Sequence, residues 1–212
     1  MRYFRDIVFI FIVSFFFTGV TAGVHQLLGD RIRLNEKTRQ ASQLLDVLGI
    51  TQPGMASQKQ ITDLEKKFVR FSSLEGRRVF KAVNEHGATT GYAFEIGGTG
   101  LWGRIDGFVA TDPDMQRITG LIFTSHSETP GLGARIEEHW FRDQFKKVRL
   151  DSVGQSGNFF HIDRSGSPGE NKVDGIAGAT ITTSSVERFL NRDLREIMTS
   201  KDQMGRLAWQ SP

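Results

Sequence analysis

From Ile7 to Val24 the chain carries no charged side chain, and its apolar character continues weakly to Leu28. No other stretch limits the fold so strongly. Hydrocarbon offers no partner for backbone N–H and C=O groups, so an unbroken apolar run of this length satisfies them as a helix. At about 1.5 Å per residue, roughly twenty residues cross a hydrocarbon core about 30 Å thick. The run predicts a single transmembrane anchor over residues 1–28. The competing reading is a cleaved signal peptide, because Val20-Thr21-Ala22 places small residues where a signal peptidase acts. The apolar run is longer than a usual signal core. Arg2 and Arg5 precede it, while Arg31, Arg33, Lys37 and Arg39 follow. The flanking charges therefore do not favour an outward C-terminus.

The rest of the composition is that of a globular protein. With 27 basic and 24 acidic residues the net charge is +3, and no long basic run exists, which disfavours nucleic-acid binding. Cysteine is absent, which excludes disulfides, cysteine-ligated iron–sulfur clusters and thiol chemistry within this chain. A redox role would then need an organic cofactor or a partner's centre. His25, His86, His126, His139 and His161 are scattered without metal-ligand spacing, and no nucleophile elbow or Walker loop occurs.

After the anchor, Ala41, Leu44, Leu45 and Leu48 fall on one side of a helix predicted over Ile32 to Leu48, with Gly49 as its stop. Thr51 to Gln60 reads as a linker containing Pro53 and Gly54. Ile61, Leu64 and Phe68 predict a second short helix. From Arg77 the period changes to that of strands, predicted over 79–83, 92–96, 108–110 and 118–124. Gly131-Leu132-Gly133 leads into a predicted helix carrying Ile136, Trp140, Phe141 and Phe145. A further strand is expected over 158–163, then a polar loop from Arg164 to Asn171. Val186, Phe189, Leu190, Leu194 and Ile197 predict a last amphipathic helix following Thr183. Strands joined by turns, with helices later, indicate an α+β domain with a largely antiparallel sheet and flanking helices. The expected divisions are an anchor over 1–28, a helical stalk and linker over 29–76, a main domain over 77–200 and a tail over 201–212.

The run Asp174-Gly175-Ile176-Ala177-Gly178-Ala179-Thr180, followed by Ile181-Thr182-Thr183, places a hydroxyl between a small-residue turn and that last helix. Small side chains there let a bulky group approach the backbone. A helix N-terminus, with its unpaired N–H groups and partial positive charge, suits a phosphate. The bland reading makes Thr180 an ordinary turn residue with Thr182, Thr183 or Ser184 as the cap, Ser184 and Glu187 forming a capping box. Ser127-Glu128-Thr129-Pro130-Gly131-Leu132-Gly133 reads as a loop with a type II Pro-Gly turn. Trp102, in Gly98-Thr99-Gly100-Leu101-Trp102-Gly103, is either core or a partly exposed stacking surface.

Taken in order, these three runs resemble the FMN-carrying subunits of ion-translocating redox complexes. These are the C subunit of the Na+-translocating NADH:quinone oxidoreductase, nearest by motif, and the G subunit of the Rnf complex. The family pattern is Asp, two residues, Ser or Thr, Gly, Ala, Thr; Ala177 departs from it. The resemblance implies FMN joined to Thr180 through a phosphoester by a separate flavin transferase, with Asp174 helping that enzyme recognise or activate the hydroxyl. It implies that Glu128, Thr129, Leu132 and Gly133 contact the isoalloxazine ring, Glu128 disfavouring negative charge there. Gly178 and Ala179 complete the attachment turn. Thr182 and Thr183 would donate hydrogen bonds to the phosphate, and Trp102 would stack on the flavin or dock a partner; Lys172 is either a charge neutralising the phosphate or the flavin anion or a solvated surface lysine.

The resulting expectation is a single-pass protein of the cytoplasmic membrane with its flavin domain on the extracytoplasmic side. It would relay electrons among other membrane subunits of an ion-translocating NADH:quinone or ferredoxin:NAD oxidoreductase, with little activity alone. The alternatives are a stand-alone flavinylated extracytoplasmic carrier and a non-redox module that binds a phosphorylated ligand.

Overall fold

The computed structural model describes residues 2–51, 56–151, 153–154, 157–163 and 171–212, leaving aside the side chains of residues 2, 30, 31 and 147. Pro53, Gly54 and nearly all of the predicted 164–171 loop lie outside the described residues. Contacts divide the chain into two compact units, Met1–Gln40 and Ala41–Pro212. The divisions expected from the sequence pattern fall after residues 28, 76 and 200.

The first unit is helical over all its described residues. It belongs to α1, Arg2–Val47, which joins the predicted anchor and the predicted stalk helix without a break. Within Tyr3–Gly29 the most apolar 18-residue window has a mean hydropathy of 2.4 and buries nothing against protein. The stretch is long and apolar enough to cross a membrane. The helix stops as expected at Gly49 (φ 71°). There Ile50 N–H donates to Leu45 O and Gly49 N–H to Asp46 O, a Schellman closure of the last carbonyls.

The second unit is built on a five-stranded antiparallel meander in sequence order. Its strands are β1 (Val69–Leu74), β2 (Arg77–Val83), β3 (Thr89–Thr99), β4 (Arg104–Thr111) and β5 (Ile118–Ser125). The sheet thus begins before Arg77. Val69 and Leu74 pair with Ala82 and Arg77, so the short β1, whose buried residues do not alternate, gains its strand identity from β2 rather than from its own period. Both faces of the meander are covered, as the alternation along each strand requires. Ala93, Phe108, Ala110 and Ile122 face Leu44, Leu45 and Val47 of the α1 terminus and Ile61 of α2, Gln58–Phe68. Phe94, Ile96, Val109, Leu121 and Phe123 face the other way, in a cluster with Phe141, Phe145, Phe189, Leu190, Leu194 and Ile197.

Three predicted elements differ. The single helix expected after Gly133 is broken into 3-10 turns Gly133–Glu137 and Asp143–Lys147 around the one-turn α3, His139–Arg142. Extended backbone at Glu138 (ψ 141°) interrupts it. The bend lets Ile136, Phe141 and Phe145 all be buried, with Phe145 edge-on to Phe141 and Phe160. The strand expected over 158–163 shortens to β6, His161–Asp163, which pairs in parallel with β7, Lys172–Asp174. The last helix, α4, runs Thr180–Thr199 and starts before Thr183. Ser184 and Glu187 lie inside it and form no capping box; its N-cap is Ala179, without a side-chain bond. Tertiary contacts override the low helix propensity of the threonines, because Thr182 and Thr183 are buried with hydroxyl partners.

Buried polar groups set where α4 lies. Asp193 accepts from the Gly97 N–H at 2.9 Å and from Arg192, whose guanidinium also donates to Gly97 O at 2.7 Å. On the adjoining face Asn191 accepts from the Phe159 N–H at 2.8 Å and donates to Phe160 O at 3.1 Å.

Candidate functional site

Three chain segments meet at the start of α4. The first is the β3–β4 hairpin loop, closed by Gly100 N–H donating to Gly103 O at 2.7 Å. It holds Trp102 67% exposed and Leu101 half-exposed. The second follows β5. Pro130, Gly131 at φ 75° and the Leu132 N–H donating to Thr129 O give the expected type II turn. That turn leaves Thr129 exposed and Leu132 45% exposed. The third is the run from β7 into α4, in which Ile176 and Ala179 are buried while Asp174, Ala177, Gly178 and Thr180 are exposed.

Glu128 joins all three. It is 4% exposed, and both carboxylate oxygens are engaged. One accepts from the backbone N–H groups of Leu101 (2.8 Å) and Trp102 (3.1 Å). The other accepts from the Thr182 hydroxyl at 2.5 Å. Room for this comes from missing side chains: a Cβ on Gly100 would collide with one carboxylate oxygen, and one on Gly133 would lie 2.7 Å from the other. Thr182 stands in the first turn of α4, where an anion gains about 0.3–1 kcal/mol from the helix dipole. Hydrogen bonds to a charged acceptor contribute about 1.5–3 kcal/mol each.

Several of the expected contact residues lie away from the exposed surface of that turn. The Glu128 carboxylate points into the protein and not at an exposed ring site. Thr182 donates to Glu128, and Thr183 to Ala179 O (3.0 Å) and Thr180 O (3.1 Å); both are 1% exposed, so neither hydroxyl is turned to a phosphate at the surface. Lys172 lies 3.3 Å from Asp163 on the paired strand, a local ion pair. Gly133 is buried beneath the loop as packing for Glu128.

Thr180 keeps the place its spacing indicates. It is the first residue of α4 and exposed, in a turn whose leading N–H groups have no intrahelical acceptor. Leu132 approaches the turn before it: a Cβ on Gly178 would stand 3.0 Å from Leu132 Cδ2. Ile181, next to Thr180, is 55% exposed. A groove of about 520 Å3 runs from Thr180 and Ile181 along α4, lined also by Asn158, Ser184, Glu187 and Arg188, and ends at Arg195. An exposed hydroxyl, orphan N–H groups and half-exposed apolar side chains together fit a phosphate attached to a flat aromatic system.

Residues outside the sequence-predicted set also belong here. Leu101, on the hairpin loop, and Ile181, next to Thr180, are apolar side chains left in solvent. Gln144 holds Asp174 by its backbone, accepting from its N–H at 2.7 Å and donating to its carbonyl at 3.5 Å, while the Asp174 side chain stays exposed. No local pattern marks Gln144, because its partner lies on another element.

Residues 100–195 match the family described as FMN-binding domain. Among similar proteins, the C subunit of the Na(+)-translocating NADH-quinone reductase of Yersinia pestis is 38% identical over 97 residues, 45% of this chain and 36% of that protein. The corresponding protein of Neisseria meningitidis serogroup B is 33% identical over 110 residues, 51% of this chain and 42% of that protein. The matched stretches therefore span less than half the length of these curated relatives. Two solved structures share the fold. Shewanella oneidensis NqrC superimposes with a TM-score of 0.66 at 21% identity, over 80% of this chain and 99% of that one. The C subunit of the Na(+)-translocating NADH-quinone reductase from Parabacteroides distasonis gives 0.64 at 26% identity, over 81% and 95%. The three motifs, the meander with its flanking helices and the family match thus agree on one likeness: over residues 100–195 this chain is similar to the FMN-binding domain family, and its fold is that of the two solved C subunits.

Proposed function

We propose that this chain is a membrane-anchored electron carrier holding FMN through a phosphoester to the Thr180 hydroxyl. The observation that carries the reading is the exposure of that hydroxyl at the first position of α4, where three separately recognisable motifs converge. Leu132, Ile181, Trp102 and Thr129 would hold the ring, and Gly178 and Ala179 the turn beneath the phosphate. Bound FMN supplies one- and two-electron redox chemistry; the chain supplies position, partial desolvation and the N–H groups of the first helical turn. Asp174, braced by Gln144, is the exposed carboxylate available to a flavin transferase.

The chain's setting belongs to the same proposal. Tyr3–Gly29 anchors it in the cytoplasmic membrane with the flavin domain on the extracytoplasmic side. Its partners are the other membrane subunits of a Na+-translocating NADH:quinone oxidoreductase, with electrons passing between neighbours and little turnover by the chain alone. The names of the Yersinia and Neisseria relatives support this assignment over the Rnf complex.

Expressed with a flavin transferase, the full chain should give a flavin-fluorescent band on a denaturing gel and an intact mass raised by one esterified FMN. Thr180→Ala should abolish both. A dark wild-type band under those conditions refutes the proposal, and fluorescence persisting in Thr180→Ala moves the attachment to another hydroxyl.

A further inference from the structure

We infer that Glu128 is the positioning residue that assembles the flavin site, acting through the two loops and the helix it ties together rather than by touching the cofactor. The inference rests on the function proposed above. Three observations lead to it. The carboxylate is almost wholly buried, and each oxygen is already engaged by the protein, so neither faces an exposed ligand. Its partners lie on different segments: the backbone of the Leu101-Trp102 loop and a side chain in the first turn of α4. The two close glycines, Gly100 and Gly133, hold the space around it, which marks a built recess rather than an incidental burial.

The connectivity gives this one side chain leverage over every other element of the site. Glu128 belongs to the loop that presents Thr129 and Leu132. Through its first oxygen it fixes the two residues, Leu101 and Trp102, whose apolar side chains stand in solvent. Through its second it holds Thr182, two residues beyond Thr180. The hairpin, the type II turn and the attachment hydroxyl therefore keep one relative arrangement only while this carboxylate, or an isosteric group, is present. A preorganised site needs such support, because the exposed side chains have few contacts of their own to hold them. The charge itself is not required for the tie. An amide at 128 still accepts the Leu101 and Trp102 N–H groups through its oxygen and donates its N–H to the Thr182 hydroxyl oxygen.

The experiment measures flavin incorporation into the purified, unlabelled full chain by a flavin transferase supplied with FAD, and then the visible-region circular dichroism of the attached flavin. Glu128→Ala should slow incorporation about tenfold, the scale of loss that follows from a small misplacement of a reacting group, and should diminish the dichroism of what is incorporated. Glu128→Gln should restore both. Should Glu128→Ala fold poorly, Thr182→Val and Thr182→Ser form an independent pair: the valine loses the hydroxyl and should reproduce the defect, and the serine keeps it and should not. Wild-type incorporation and dichroism in folded Glu128→Ala, or in Thr182→Val, overturn the inference. So does a Glu128→Gln protein as defective as Glu128→Ala, which would make the charge the active feature. Failure of the wild-type chain to take up flavin at all would instead sink the proposed function, leaving the two results distinguishable.

Discussion

Two helices dominate this molecule and solve opposite problems. In the Tyr3–Gly29 stretch of α1, apolar side chains surround the axis and none of the most hydrophobic window is buried by protein. In α4, Val186, Phe189, Leu190, Leu194 and Ile197 form one buried stripe, and the remaining faces are mostly polar, Ile181 excepted. A helix that is apolar all round asks for an apolar solvent; a striped helix asks for a sheet to lie on. The consequence for chemistry is direct. The Tyr3–Gly29 stretch has helical geometry like α4, but the first turn of α4 is held by a core, which is what the attachment proposed for Thr180 requires.

The same substitution placed in each helix should separate these roles most sharply. Phe189→Ala removes a buried ring from the sheet-covering face and should lower the unfolding free energy of the 41–212 unit by about 3–5 kcal/mol. Phe16→Ala, in the anchor, should leave that unfolding within about 0.5 kcal/mol of wild type. Denaturant melts of the full chain in detergent, followed by tryptophan emission, measure both. An equal loss in the two variants would mean that the anchor contributes to the folded domain.

Crowding the first turn of α4 comes next. Gly133→Ala puts a Cβ against the Glu128 carboxylate and the Thr182 hydroxyl, both 2.7 Å away. The strain should cost about 1–3 kcal/mol, and unchanged melting would show that the loop relaxes easily. At the terminus of α1, Gly49→Ala forces a side chain into left-handed backbone and should cost about 1 kcal/mol.

The smallest effect concerns charge at that same terminus. Burial pushes the Asp46 carboxyl up from its ordinary range, against the opposing pull of Arg142, His139 and Lys146. A carboxyl that binds its proton more tightly when folded favours the fold in acid, and that contribution fades as pH rises through its folded titration. A carboxylate at a helix C-terminus also opposes the dipole. Asp46→Asn should therefore be more stable than wild type by about 0.5 kcal/mol at neutral pH. The gain should shrink toward zero at acid pH, where Asp46 is protonated. A gain that grows on acidification would reverse the assigned cause.

What could be read along the chain was whatever depends on neighbours in sequence. The apolar run, the Gly49 stop, the strands with clear alternation and the Pro130-Gly131 turn all express local backbone and burial preferences. The three motifs, too, are contiguous, so Thr180 could be singled out before any fold was known. β1 was not legible, since Val69–Leu74 becomes a strand only by pairing with β2. The start of α4 lies ahead of where the sequence places it, because threonines disfavour helices locally, while Thr182 and Thr183 are stabilised there by Glu128 and by carbonyls of the preceding turn.

By itself, then, the amino-acid order determined the long apolar helix, the antiparallel α+β layout and the exposed hydroxyl at the head of a helix, because each follows from periodicity or from chain neighbours. Only the tertiary structure decided that Glu128 faces inward, that Thr182 serves it, and that Gln144 braces Asp174. Those assignments depend on side chains meeting across 54 and 30 residues of chain. Hydrogen-bond partners so distant in sequence are chosen by packing, which no local pattern records.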